Sequence, residues 1–192
     1  MSRVQRRRME TRERIVAEAM RLFVERGFDS VTVAEIAEAA DVGKGTFFTH
    51  FPTKGDVFRF VGEEVTAAVA AAAEASEGRP APERLASALD AAAEWCEGHP
   101  QFLTQMVQAR AFNLATDAGS PSQQRVVAVF AGIITAGVDT GELRDSASAT
   151  AAAYVLLAGY FVSVLGWALD PSGPSLRERL RGMLDIVLNG LR

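Results

Sequence analysis

"ADVGKGTFFTHFPTKGD", residues 40–56, is the stretch on which the fold turns. Pro52 stops a short helix carrying "KGTFFTHF". Gly43 and Gly45 flank Lys44 where that helix should begin. An interior glycine costs a helix about 1 kcal/mol relative to alanine. What glycine offers in return is close approach of the backbone to something outside it. Lys44 and Lys54 are the only lysines among 20 Lys+Arg, and both fall in this stretch.

Working outward, "SVTVAEIAEAAD" (30–41) carries two start signals for a preceding helix. Thr32 and Glu35 form a capping box, and Val31 with Ile36 forms a hydrophobic staple. Asp41 and Gly43 supply the turn that ends it. Before that, Ile15, Ala19, Leu22 and Phe23 repeat on one helical face. Thr11 is the expected N-cap of this first helix, Gly27 closes it, and Phe28 folds back on Phe23. A longer helix followed by two short ones joined by a tight turn is a helix-turn-helix, whose second short helix enters the DNA major groove. In that setting Lys44 projects toward base edges or phosphate, and Thr46 offers a methyl and a hydroxyl.

Downstream, Thr53 and Asp56 repeat the capping pattern for a fourth helix with an apolar stripe of Val57/Phe58, Val61, Val65 and Val69. Lys54 sits in its first turn, where the helix dipole disfavours a cation by a few tenths of a kcal/mol. A bound phosphate would reverse that sign. The alternative is a solvated surface charge. "EGRPAP" (77–82) breaks the chain. Leu85, Leu89, Ala92 and Cys96 then mark a helix ending at "GHP". Further helices are expected from Gln101 to about Leu114, from Ser122 to Asp139, near 146–169 and near 175–190. Leu176, Leu180, Met183, Leu184 and Val187 set the face of the last. No strand-like alternation is sustained. The expectation is an all-α chain of about nine helices, a three-helix N-terminal domain at 1–58 and a larger helical bundle at 59–192.

Charge supports this division. Residues 1–60 hold 11 Lys+Arg against 9 Asp+Glu, a net of +2, whereas the whole chain carries −4. Anion binding therefore belongs to the first third. The basic run "RRRMETR" (6–12) reads either as an arm reaching DNA or as a solvated tail. A single cysteine excludes an intrachain disulfide and, with no secretion signal read at the start, fits the cytoplasm. No nucleophile elbow, complete phosphate loop or metal-ligand spacing occurs, so no catalytic or metal residue is assigned and an enzyme is not expected. Residues 146–169 are free of charge and long enough to span a bilayer. The same pattern suits a helix buried on all sides, and Asp145 and Asp170 flank it without a Lys/Arg cluster. A membrane-associated helical protein is the alternative function.

"TVAEIAEAADVGKGTFFTHFPTKGDVF" (32–58) resembles the DNA-binding signature of the TetR family of transcriptional regulators. "TGELR" and "SLRERLRGMLDIVLNGL" resemble the family's C-terminal region more weakly. The resemblance implies that Thr32 contacts phosphate, that Lys44 and Gly45 lie nearest the bases, and that Thr46, Phe48, Thr49 and His50 line the recognition helix. It places His50 and Lys54 on phosphates and Ile36, Ala37, Val42, Phe47 and Phe51 in the core. Three residues depart from the family pattern: Asp41 for the turn glycine, Gly43 for a capping serine and Phe48 for tyrosine. It further implies a repressor acting as a homodimer through the last two helices on palindromic double-stranded DNA, without a cofactor. A small-molecule effector would bind the larger domain, where Trp95, Phe102, Met106, Phe112, Phe130 and Tyr154 are the candidates and Arg110 could orient an anion.

Overall fold

A computed structural model describes residues 2–100, 103–104, 120–145 and 148–191. Among them are eight α-helices and no strand: α1 (Arg3–Arg26), α2 (Val33–Ala39), α3 (Lys44–His50), α4 (Val57–Ala75), α5 (Ala81–Gly98), α6 (Pro121–Asp139), α7 (Ala149–Leu169) and α8 (Leu176–Leu191). A 3-10 turn, Lys54–Asp56, precedes α4. The helix expected from Gln101 lies almost wholly outside the described residues. Two compact units are present, dividing between Val61 and Gly62.

In the first unit, α1 starts nine residues earlier than Thr11 would place it. Ser2 is the N-cap, and its capping box with Gln5 satisfies free backbone N–H groups at the very start. No proline or glycine follows to interrupt the basic run, so "RRRMETR" is helical rather than a loose arm. Gly27 ends α1 at φ +79°, with its N–H donating to the Phe23 carbonyl. The chain then turns Phe28 back edge-on to Phe23, ring centroids 5.0 Å apart. Phe58 joins them from the first turn of α4, 5.5 Å from each.

Ile15, Ala19, Met20, Phe23, Ile36, Phe47, Phe51 and Val57 are buried together in this small core. Each fully buried large apolar side chain stabilises by about 1.5–3 kcal/mol. Ile36, Ala37, Phe47 and Phe51 are buried as the resemblance implied, and Val42 packs half-buried at the edge. Asp41 adopts φ +51° at the α2–α3 turn, where its short polar side chain tolerates the left-handed region that glycine would otherwise supply.

In the second unit α6 packs along α7, α5 packs against α6 and α8, and α7 lies against α8. Leu85, Leu89, Cys96, Phe130, Ile134, Leu156 and Leu180 are buried. On α8 the buried positions are Leu176, Leu180, Leu184 and Leu188, a strict four-residue repeat, and Met183 and Val187 are half-buried flanks. The start of α5 has no side-chain cap of its own because Pro80 occupies the N-cap. Glu142, just past α6, accepts the Ala81 N–H instead. At the same junction Gly137 of α6 lies so close that a Cβ there would be 2.6 Å from the Ala81 Cβ and 2.9 Å from Leu143 Cδ1.

This junction separates propensity from packing within one helix. Gly137→Ala should destabilise the protein by about 1–3 kcal/mol through overpacking against the immovable Ala81 methyl. Gly132→Ala, whose Cβ would meet nothing within 4 Å, should instead stabilise by up to about 1 kcal/mol. Chemical denaturation of the two variants reads both signs.

Candidate nucleic-acid interface

α3 is seven residues long, and within it only Phe47 is buried. Phe51, just beyond its end, adds a second anchor, its ring 5.7 Å from that of Phe47. The opposite side of the helix carries Lys44, Gly45, Thr46, Phe48 and Thr49, all exposed. Phe48 is 52% exposed, an apolar ring held in water by a helix with no internal partner for that face beyond the edge of Phe47. Lys44 makes no hydrogen bond or ion pair among the described residues. Thr49 back-bonds to the Gly45 carbonyl at 2.9 Å, which leaves its methyl outward.

The two glycines are not explained from within. A Cβ at Gly45 would meet nothing within 4 Å, and at Gly43 only the Thr46 hydroxyl at 4.0 Å. Gly43 is the N-cap with φ −72°, a conformation open to any residue, and it offers no side-chain cap. The first turn of α3 therefore keeps its backbone N–H groups bare and its surface flat, at a cost in helix stability. That is the shape required of a backbone that comes within contact distance of a nucleic-acid edge.

Two of the phosphate ligands expected from the sequence are engaged inside the protein. Lys54 donates to the carbonyls of Phe28 at 2.6 Å and Val31 at 2.9 Å, with Asp29 at 3.4 Å, and its ammonium lies 4.3 Å from the Phe28 ring centroid. Its role here is to tie the start of α4 to the α1–α2 corner, whose carbonyls have no helix or strand to pair with. Thr32 donates its hydroxyl proton to Glu35 at 2.7 Å while accepting the Glu35 N–H at 3.3 Å. These Thr32 bonds, with Arg26 at 2.8 Å, hold the Glu35 carboxyl down to about 2. A fixed anion thus sits beside Thr32, which is unfavourable for a phosphate at that hydroxyl.

His50 ends α3, half-buried beside Phe51. Burial lowers its pKa first, and the nearby Arg8 and Arg12 charges lower it further. An approaching anion would offset those charges and favour the protonated ring. Arg8, Arg12, Gln5 and Met9 share an open cleft with it. Sequence reading missed this cluster, because the expected start at Thr11 left residues 3–10 outside the helix. The Ser2–Gln5 capping pair was the available signal.

The residues suggested for an effector site do not gather into one place among the described residues. Phe130 is ordinary core at 1% exposure. Trp95 stacks on His99 at 4.3 Å, whose Nδ1 lies 2.7 Å from the Trp95 carbonyl. Tyr154 points outward on α7 at 47% exposure, so it does not line an interior site of this subunit. Phe102, Met106, Arg110 and Phe112 lie outside the described residues. Unforeseen is a Cys96–Tyr160 contact, Sγ to hydroxyl 3.4 Å, with the thiol pushed up to about 11 by burial and therefore neutral. Among the described residues no group of acidic, histidine or cysteine side chains could hold a metal.

Comparison with known proteins bears on this geometry. The profile of the family described as "Bacterial regulatory proteins, tetR family" matches residues 15–61. Over 53 residues the chain is 43% identical to the transcriptional regulator TcmR of Streptomyces glaucescens, a match spanning 28% of this chain and 24% of that one. Against the transcriptional repressor BepR of Brucella suis it is 29% identical over 95% of this chain and 92% of that one. Among solved structures, Thermus thermophilus FadR, a TetR-family repressor in complex with lauroyl-CoA, superposes with a TM-score of 0.76 at 30% identity, covering 94% and 95% of the two chains. The Bacillus subtilis FadR complex with stearoyl-CoA shares the fold at a TM-score of 0.75 and 20% identity. α7 is the one helix among the described residues long and apolar enough to cross a membrane. The membrane reading of it finds no support in these relatives, which are DNA-binding regulators over nearly the whole chain.

Two substitutions test the assignments. Lys54→Met keeps a polarisable chain over Phe28 but removes the donors. It should cost about 1–3 kcal/mol of stability by orphaning the corner carbonyls, a loss visible in thermal melts without DNA. Gly45→Ala should raise the melting temperature slightly while weakening duplex binding, measured by fluorescence anisotropy. Unchanged binding would mean that nothing approaches that backbone.

Proposed function

Since this chain belongs to the TetR family of bacterial transcriptional regulators, we propose that it is a ligand-responsive repressor that binds a palindromic DNA site as a homodimer in the cytoplasm. The observation that carries the DNA-reading half is the bare face of α3. Lys44, Gly45, Thr46, Phe48 and Thr49 enter the major groove, and His50 faces a phosphate at the groove's edge. Lys44 reads a base edge, because it is the one cation on this face without a competing partner. Phe48 contributes apolar contact, for which a thymine methyl is the natural counterpart.

Dimerisation uses α7 and α8. Val155 (56% exposed), Val162 (65%) and Tyr154 on α7, with Ile186 (75%) on α8, leave apolar surface in water that a second copy would bury. A twofold pair would place the two α3 helices about 34–36 Å apart, one helical turn of DNA.

The effector is a long-chain acyl-CoA or a molecule of like chemistry. This rests on the near-full-length relative from Thermus thermophilus, which was solved with lauroyl-CoA. The residues of this chain that would hold the thioester, and the 1–58 and 59–192 division of labour, are parts of the same proposal. The effector acts by binding one arrangement of the dimer more tightly than the other, through α4, whose residues belong to both units.

The test uses duplexes from the region upstream of the gene that contain an inverted repeat. The protein should bind one of them, and saturating lauroyl-CoA should weaken binding about 5–150-fold, the usual range of allosteric coupling. Coenzyme A alone should not. Val162→Glu should convert the dimer to monomer in light scattering and abolish preference for the repeat. An unaltered affinity with lauroyl-CoA would remove the acyl-CoA assignment and leave the DNA assignment standing.

A further inference from the structure

The basic N-terminal run has a specific arrangement on α1. Arg6 pairs with Glu10 across one turn, 3.8 Å apart, on a face of its own. Arg8 and Arg12 lie one turn apart on another face and converge with His50 on a cleft of about 470 Å³, completed by Gln5 and Met9. No carboxylate lines this cleft. Arg12 is held in place by two aromatic rings, its guanidinium carbon 5.6 Å from the Phe51 centroid and 5.0 Å from that of Phe60. Arg8 has no carboxylate partner among the described residues. Two guanidinium groups and an imidazole drawn together repel one another, as the lowered His50 pKa records. Such a cluster is stabilised only when an anion joins it.

Its position selects the anion. His50 is the last residue of α3, so the cleft opens at the end of the helix whose exposed face begins at Lys44. Seven residues rise about 10 Å along a helix, and the major groove is about 12 Å wide. A helix of that length seated in the groove ends beside the sugar-phosphate wall. We propose that Arg8 and Arg12 of α1, together with His50, form a binding site for a backbone phosphodiester of the DNA duplex, flanking the groove occupied by α3. This rests on the reading of α3 as the groove helix and adds α1 as a second, sequence-independent contact. It also explains why α1 is capped as early as Ser2. A helix begun at Thr11 would leave Arg8 unplaced.

The test compares Arg8→Gln with Arg6→Gln in the full-length protein. Both remove one charge from an exposed helical position, and circular dichroism melts should be alike. The probe is a random-sequence duplex of roughly 30 base pairs, titrated by anisotropy at several salt concentrations between about 50 and 200 mM. Arg8→Gln should weaken binding several-fold and reduce the magnitude of the log K against log salt slope by about 0.9, the value for one lost phosphate contact. Arg6→Gln should leave the slope at the wild-type value. Equal slopes for Arg8→Gln and wild type overturn the site, as does an equal loss in both variants, which would mean diffuse charge only. Lys44→Ala on the same duplex separates the two levels of the argument. If Lys44→Ala weakens binding and Arg8→Gln does not, the groove assignment survives and the α1 site falls. If the wild type fails to bind duplex at low salt, the groove assignment itself fails and takes the site with it.

Discussion

A seven-residue helix has no stability of its own in water, and two glycines, at its N-cap and its second position, make α3 worse than average. It exists because Phe47 and Phe51 are sunk into a core built by α1, α2 and the start of α4. That anchoring is the constraint on which the interface depends. It frees every other position of α3 from any structural duty, so Lys44, Gly45, Thr46, Phe48 and Thr49 can be chosen for what they meet outside. The same constraint explains the aromatic density of the first unit, where Phe23, Phe28 and Phe58 pack at 5.0–5.5 Å around the α1–α2 corner.

Lys54 belongs to this scaffold. Its ammonium holds the Phe28 and Val31 carbonyls and lies over the Phe28 ring, so the corner that orients α2 is fixed to the turn that opens α4. Position in the sequence gave both lysines the same apparent task, yet the two differ in partners. Lys44 has none within the protein and Lys54 has three carbonyls. A cation already coordinated by carbonyls has few donors left for a phosphate. The cationic surface instead extends the other way, along α1 through Arg8 and Arg12 to His50.

The second unit shows how neighbours finish what local sequence leaves open. α5 begins at a proline that cannot cap it, and Glu142 from beyond α6 supplies the acceptor. α8 begins with its own Ser175–Glu178 box, and Glu97 of α5 accepts the Arg177 N–H as well. Asp90 and Arg181 add a bidentate pair between the same two helices, largely exposed and so of small energetic weight.

Much of this was legible in the sequence where the signal is local. The Thr32–Glu35 and Thr53–Asp56 boxes, the Gly27 stop with Phe28 folding back, the left-handed Asp41 and the leucine repeat of α8 each depend on residues within four or five positions of one another. Local hydrogen bonding and helical periodicity fix such features before any tertiary contact forms. The tertiary structure alone decided the features that join distant residues. Lys54 reaches carbonyls 23 to 26 residues away, Glu142 caps a helix 61 residues before it, and Arg8 meets His50 only because α1 is straight and begins at Arg3. A side chain's partner across the fold is set by where the core places two backbones, and no spacing rule along the chain encodes that distance.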